Sequence, residues 1–357
     1  MGRILYGVMG DAGGHVSRSL AIVQQLKEHE VVFVGGGRVA ELSQAGYSVV
    51  AIPTLGTVLR DQRVDTVRTA AHAVDVLRRA PSVMARLTAT IREYDPDLIL
   101  TDYEYFLPRA ARRLGRPCIS VDRQHALTLC RYQPLAGHRL SRALTSGVIR
   151  ALYSVASHYL ICSFAPMQPL DSATTEVLPP VLRGEVLAVE PGEGDHALVY
   201  MRDAPLAWVR SHLGGRRRRF IVYGFGIDRE EGNLCFRRNS SGRFLADLAS
   251  CAYVISNGGH NVISEALYYK KPLLCFPVRL FYEQLLNAHL LAEAGYGAWS
   301  EADAGAGAAV EAFEAGLPQF QARAAARAPW DNCAIASRLQ ALMAGAGEGA
   351  APASATF

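Results

Sequence analysis

Two glycine-rich turns in this chain stand beside residues able to bind anions or move protons. The first is Gly10-Asp11-Ala12-Gly13-Gly14-His15, directly after an apolar run at 4–9. The second is Ser256-Asn257-Gly258-Gly259-His260-Asn261, which follows the apolar residues 253–255 and leads to Glu265. Beyond it stand Glu283-Gln284 and Asn287. A glycine turn that opens a helix presents unpaired backbone N–H groups and the positive end of the helix dipole, so it suits an anion. A carboxylate about two turns into that helix, with an acid–amide pair one strand later, suits the hydroxyls of a ribose or hexose. The segment 254–287 therefore reads as a nucleotide-sugar site.

The elements that must position these residues follow from apolar runs and breakers. Strands are expected at 4–9, 31–34, 49–52, 98–101 and 119–121, with a helix at 16–29 and mostly helical, basic sequence over 55–94. After a proline-rich stretch the theme repeats, with strands at 196–201, 220–223, 253–255 and 273–276. Strand–helix alternation of this kind predicts parallel sheets covered on both faces. The expected organisation is a domain at 1–165, a linker at 166–182, a second domain at 183–328, a helix at 329–344 and a disordered tail at 345–357. In two doubly wound domains, ligands sit at the carboxyl ends of the strands, where most of the candidates fall.

The run at 254–287 resembles the donor-binding signature of the inverting GT-B glycosyltransferases. These include the UDP-glycosyltransferases and the N-acetylglucosaminyltransferase that makes lipid II. The landmarks occur in order as Gly259, Asn261, Glu265, Lys271-Pro272, Pro277, Glu283-Gln284 and Asn287. The resemblance implies an α/β GT-B fold, two doubly wound Rossmann-like domains facing a cleft, with the last helix crossing back to the first domain. It assigns Gly259 and Asn261 to the diphosphate, Glu265 to ribose hydroxyls, and Glu283 and Gln284 to the sugar, with Gly258 and His260 among the donor-binding residues. Asn257 stands where the family often has a phosphate-binding His, a departure that weakens this contact. Gly224, Phe225 and Gly226 match a glycine loop beside the donor phosphates.

The first turn resembles the glycine turn with a closing His in both families. In the UDP-glycosyltransferases the matching His is the general base, which makes His15 the candidate base, and Asp102, at the end of its strand, matches the acid that orients it. A carboxylate on one imidazole nitrogen fixes the tautomer and stabilises the imidazolium formed on proton transfer. In the lipid II enzyme the turn serves phosphate and acceptor binding instead. Without the resemblance, His15 reads as an exposed residue of a capping turn and Asp102 as a helix N-cap. Gly13, Gly14, Asp122 and His125 fall on the acceptor side. Asp122 or His125 is the reserve base, and either also reads as an ordinary loop residue.

The resemblance thus implies transfer of a hexose from a nucleotide diphosphate sugar, UDP-linked, to an acceptor hydroxyl with inversion. No metal is expected: Asp95-Pro96-Asp97 has the spacing of a metal-binding acid pair but lies before a strand, and its proline makes it a turn. The alternatives are a nonhydrolysing UDP-sugar 2-epimerase and a non-catalytic nucleotide-sugar-binding protein. Composition agrees with an enzyme: half of the 357 residues are hydrophobic and a fifth charged, and a net charge of +4 does not suggest a nucleic-acid binder. Seven cysteines show no metal spacing and, with no signal peptide in view, suit a reducing cytoplasm. No apolar run reaches the ~18 residues of a membrane span. Arg131, Arg139, Arg142 and Arg150 lie among Leu129, Leu135, Leu140, Leu144, Val148 and Leu152. That basic amphipathic segment suits either packing on its own domain or peripheral contact with anionic lipid and a lipid-linked acceptor. Arg216 to Arg219 read as a solvated strand entrance.

Overall fold

The computed structural model describes residues 1–344 except 12, 57, 58, 61, 62, 65, 202, 203, 279, 280 and 302–304. The expected disordered tail, 345–357, lies outside the described residues. The chain divides into two compact units. The first comprises Met1–Pro134, Ala143–Arg183 and the segment from Asp331; the second comprises Leu135–Arg142 and Gly184–Trp330.

The first unit is built on a seven-stranded sheet. Its strands are β1 (Arg3–Val8), β2 (Glu30–Gly35), β3 (Ser48–Ala51), β4 (Leu98–Asp102), β5 (Ile119–Asp122), β6 (His158–Cys162) and β7 (Thr175–Leu178). All pair in parallel, in the order β7-β6-β5-β4-β1-β2-β3. Side chains alternate across a strand, and both faces here are dry. Ile4, Tyr6 and Val8 join one core with Phe33, Leu100, Val121 and Leu160. Leu5, Val34 and Ile99 join a second with Phe106 and Leu107. A central parallel strand covered on both sides has to be a continuous apolar run, which is why β1 and β4 stand out in the sequence.

The second unit repeats the design with β8 (Ala197–Tyr200), β9 (Phe220–Tyr223), β10 (Arg229–Glu231), β11 (Leu234–Phe236), β12 (Tyr253–Ser256), β13 (Leu273–Cys275) and β14 (Gly297–Trp299). Their order is β10-β11-β9-β8-β12-β13-β14, parallel except for the edge pair β10–β11. Each sheet reverses its strand order once, at β1/β4 and at β8/β12. These are the switch points where doubly wound folds hold their ligands.

Three expectations change. The helix expected at 16–29 is α1 (Gly13–Val23) and stops early. Bonds from Leu26 to Val23 and from His29 to Leu26 tighten the chain back towards β2. The expected linker at 166–182 is instead part of the first sheet: β7 lies alongside β6, and Pro179 and Pro180 end the strand rather than the domain. Besides the short excursion Leu135–Arg142, the chain passes between units at Arg183–Gly184 and again at Trp330–Asp331. The arginines at 216–219 are not merely solvated: Arg216 and Arg218 meet Glu311 and Glu314, and Arg219 meets Glu230.

The last described helix, Cys333–Ala344, belongs to the first unit, with Ile335 and Leu339 in its core. Two polar contacts fasten it. Asn332 and Leu182 exchange hydrogen bonds of 2.7 and 2.9 Å. Arg338 forks onto the buried Glu176 at 2.6 to 2.9 Å, and His158 approaches the same carboxylate at 2.7 Å. Burial pushes the Glu176 carboxyl up, but the bonds from His158 and Arg338 outweigh it and hold it below its ordinary value. A carboxyl lowered in the folded state stabilises above its unfolded pKa of about 4.3 and loses that contribution as pH falls through the folded value. Arg338→Ala leaves Glu176 buried without its cation and is expected to cost about 3–5 kcal/mol. Urea denaturation at pH 7 measures this, and the gap between wild type and variant should close below about pH 4.

Candidate functional site

The residues with chemical potential collect at the two switch points. In the first unit, Val8 and Asp102 are register partners on β1 and β4, and the Met9 N–H continues the pairing to the Asp102 carbonyl at 3.0 Å. The turn leaving β1 therefore starts beside the end of β4. A Cβ at Gly10 would stand 1.8 Å from the Gly36 carbonyl oxygen, so only glycine permits that approach. Gly13 and Gly14 then begin α1 and deliver His15 onto Asp102.

His15 Nδ1 lies 2.7 Å from Asp102 Oδ1, although 87 positions separate them. Asp102 is fully buried and His15 nearly so. Two further donors were not singled out from sequence. Arg18 grips the carboxylate with Nε on Oδ2 at 2.9 Å and Nη2 on Oδ1 at 2.5 Å, and Ser19 Oγ donates to Oδ2 at 3.3 Å. The signal was present in the spacing, because positions 15, 18 and 19 share one face of a helix. Asp102 is not a helix N-cap. That work falls to Glu104, whose carboxylate accepts the N–H groups of Phe106 and Leu107 at 2.8 and 2.6 Å. Burial pushes the Glu104 carboxyl up to about 7 against those bonds.

Tyr103, next to Asp102, has a φ of 56°, a left-handed conformation uncommon for a bulky residue. Its ring stacks on Tyr153 at 3.8 Å between centroids and runs nearly parallel to the His15 ring at 6.0 Å. Such strain at a strand end is typical of functional positions.

Asp122 and His125 form a second, closed pair at the end of β5. Asp122 accepts the His125 backbone N–H at 2.9 Å, its Nδ1–H at 2.6 Å and the Ser120 hydroxyl at 2.5 Å. Burial raises the Asp122 carboxyl, yet His125 and these bonds prevail and hold it well below the usual carboxylate range. Both residues are almost fully buried, and His125 Nε2 has no protein partner. Asp95 and Asp97 prove structural: Asp95 ends the helix Ala80–Tyr94 and meets Arg116, and Asp97 accepts the Arg3 N–H at 2.7 Å.

In the second unit, Ser256 ends β12 and the turn 257–259 opens α4 (His260–Tyr268), with Gly259 as its N-cap. Gly258 has a φ of 86°, and its N–H reaches the Ser256 hydroxyl at 3.2 Å. Amides brace the turn from outside. Asn257 donates to the Phe276 carbonyl at 3.0 Å, at the end of β13, and Asn287 donates to the Gly258 carbonyl at 3.1 Å. Asn287 comes from α5 (Tyr282–Glu293), whose first turn carries Glu283 and Gln284. Gln284 Oε1 accepts the Val278 N–H at 3.0 Å and so holds the loop between β13 and α5. His260 and Glu265 are buried on α4. Gly224, with a φ of 104°, and Gly226, with a φ of 70°, flank Phe225 just after β9. Thus His15, Asp102, Gly13, Gly14, Asp122 and His125 lie in the first unit, and the residues from Gly224 to Gln284 lie in the second. All seven cysteines are free thiols, six of them buried. Among the described residues no three His, Cys, Asp or Glu side chains group to hold a metal.

The model of glycosyl transferase family 1 matches residues 2–318. The chain belongs to that family. Uncharacterized glycosyltransferases of Methanosarcina acetivorans and Methanosarcina mazei are each 23% identical to it over 328 residues, covering 83% of this chain and 84% of theirs. Among solved structures, Arabidopsis thaliana UGT89C1 complexed with UDP aligns with a TM-score of 0.66 at 15% identity, over 96% of this chain and 99% of that one. The glycotransferase of kitacinnamycin aligns with a TM-score of 0.65 at 19% identity, over 95% of each chain. The glycosyltransferase thus has the α/β GT-B fold with two Rossmann-like units, and transferase activity displaces the epimerase and non-catalytic alternatives.

The donor turn offers a contrast between adjacent glycines. A Cβ at Gly258 would meet the Gln284 carbonyl at 2.8 Å, whereas at Gly259 φ is −66° and nothing lies within 4 Å. Gly258→Ala is expected to cost about 1–3 kcal/mol and Gly259→Ala less than about 0.5 kcal/mol. Thermal unfolding of the two variants beside wild type measures the difference.

Proposed function

We propose that this glycosyltransferase is inverting and metal-independent, and that it moves a hexose from a UDP-linked sugar to an acceptor hydroxyl. The observation that carries the reading is the His15–Asp102 pair, a buried carboxylate 2.7 Å from the Nδ1 of an imidazole at a switch point. With Nδ1–H directed at Asp102, Nε2 keeps the lone pair and serves as the base. The acceptor oxygen attacks the anomeric carbon as its proton passes to Nε2. The bond from that carbon to the diphosphate breaks in line, and its electron pair leaves on the phosphate oxygen.

The departing charge is assigned to the N-terminus of α4, where His260 and Asn261 begin the helix and the positive end of its dipole lies. Glu265 is assigned to ribose hydroxyls and Glu283 to the sugar. Asn257, Gln284 and Asn287 hold the turn that presents those groups. Support for UDP comes from UGT89C1, solved with UDP and with UDP-L-rhamnose. That protein was also solved with quercetin, an acceptor that does not carry over to this chain.

In the test, transfer from a panel of UDP-, dTDP- and GDP-sugars is followed for wild type and His15→Ala in the presence of EDTA. A UDP-sugar should be used best, EDTA should leave the rate unchanged, and His15→Ala should lower kcat by roughly 10²- to 10⁴-fold. An unchanged kcat in the variant removes His15 as the base, and loss of activity in EDTA removes metal independence.

A peripheral lipid contact belongs to the same proposal. Helix α3 (Arg139–Val148) exposes Leu140, Leu144 and Val148 on one side while Ser141 and Ser146 are buried, the reverse of a helix packed by its apolar stripe. Among the described residues no helix is long and apolar enough to cross a membrane. Exposed leucines flanked by Arg139, Arg142 and Arg150 suit the boundary of an anionic bilayer. Wild type should co-sediment with anionic liposomes at low salt, and a Leu140→Asp/Leu144→Asp variant should stay in the supernatant. Wild type that remains soluble under these conditions ends the lipid reading.

A further inference from the structure

The reaction as derived uses His15 and Asp102 and gives no part to Arg18. Arg18 lies one turn beyond His15 on α1 and is almost entirely buried. Its Nε and Nη2 hold both oxygens of Asp102, at 2.9 and 2.5 Å, and Nη2 also lies 3.1 Å from His15 Nδ1. A two-point fork of this kind fixes the plane of a carboxylate as well as its position. With the plane fixed, Oδ1 stays in line with Nδ1 at 2.7 Å.

The proton arrangement follows. At 2.7 Å a bare Nδ1 lone pair would face a carboxylate oxygen, so Nδ1 carries the hydrogen and donates it to Asp102. Nη2 then meets Nδ1 with hydrogens on both sides, and its approach is a cation held against the ring. The other ionisable groups around the pair do not offset that charge. Tyr6 from β1 and Cys162 from β6 are both pushed up by burial and stay neutral. Asp122 from β5 is engaged with His125. The Tyr103 ring after β4 packs against His15 face to face. Arg18 and Asp102 therefore form a neutral pair beside the imidazole, where a lone carboxylate would form an ion pair with imidazolium.

We propose that Arg18 is a positioning residue for the proton transfer: its fork aims Asp102 at His15 Nδ1, and its charge stands against the positive charge that the ring acquires. This rests on the reading of His15 as the base. The two contributions separate in two variants of the full-length chain. Arg18→Lys keeps the charge and loses the fork; Arg18→Met loses both.

Both variants should lower kcat by roughly 10²-fold, the effect of a misaligned catalytic group. The KM for the nucleotide sugar should stay unchanged, since every donor candidate lies in the other unit. Arg18→Lys should keep the acid limb of the kcat–pH profile in place. Arg18→Met should move it to higher pH by about one unit or more, because removing a nearby cation favours protonation of the ring. In a His15→Ala background, Arg18→Lys should have no further effect on kcat, and additive losses would overturn the proposal. So would a wild-type kcat in both variants, or an acid limb that stays in place in Arg18→Met. A separate readout needs no turnover: the His15 ring resonance, followed by NMR against pH, should titrate at higher pH in Arg18→Met. If His15→Ala alone keeps full activity, the base reading fails, while the NMR titration still decides whether Arg18 is coupled to the ring. A resonance that does not move then overturns the coupling itself.

Discussion

Asp102 has no access to water, and the first switch point is arranged around that fact. An ionised carboxylate in such a place is costly unless every oxygen is engaged. Its donors are His15, both arms of Arg18 and Ser19, all from one face of α1. That requirement sets where α1 must begin and how it must turn. The chain has to leave β1, pass closely under the second strand's loop at Gly36, and return its first helical turn to the end of β4. The glycines of the turn serve this route at least as much as they serve a ligand.

The second switch point meets a different constraint with different chemistry. Side-chain amides from Asn257 and Asn287, with the Gln284 carbonyl, bind the loops of neighbouring strands to one another. The start of α4 is thereby fixed before any ligand arrives, which limits the reorganisation that binding would otherwise require. An ionic clamp holds the catalytic candidates, and a neutral lattice of amides holds the donor candidates.

Much of this was legible because the central strands are dry on both faces and declare themselves as apolar runs. The meeting of His15 with Asp102 was implied by the resemblance to the UDP-glycosyltransferases, and the parallel pairing of β1 with β4 realises it. Arg18 was less visible, since an arginine on the first helix of a domain looks the same whether it faces solvent or a carboxylate. Asn257 and Gln284 posed the converse problem: an amide at a strand end or in a first helical turn suits a ligand and a neighbouring backbone equally well. The prolines near 166–182 were read as a linker, but proline also flanks edge strands, and only β7 beside β6 tells the two apart. In α3 the periodicity was legible and its direction stayed open, because a pattern of leucines fixes a stripe without stating what it faces.

The reciprocal bonds between Leu182 and Asn332 mark where the chain re-enters the first unit, 150 positions after leaving it. Apart from Arg183 and Asp331, everything between the two residues belongs to the other unit. On a ribosome, the first half to emerge is therefore the last to be finished. Its sheet can assemble early, with Ile22, Val23 and Leu26 packed on it, but the core that holds Ile4 and Tyr6 is complete only when Ile335 and Leu339 arrive. Domains usually complete in the order of their synthesis. Here the first unit must wait, with part of its apolar core uncovered, while the second unit is made and folds.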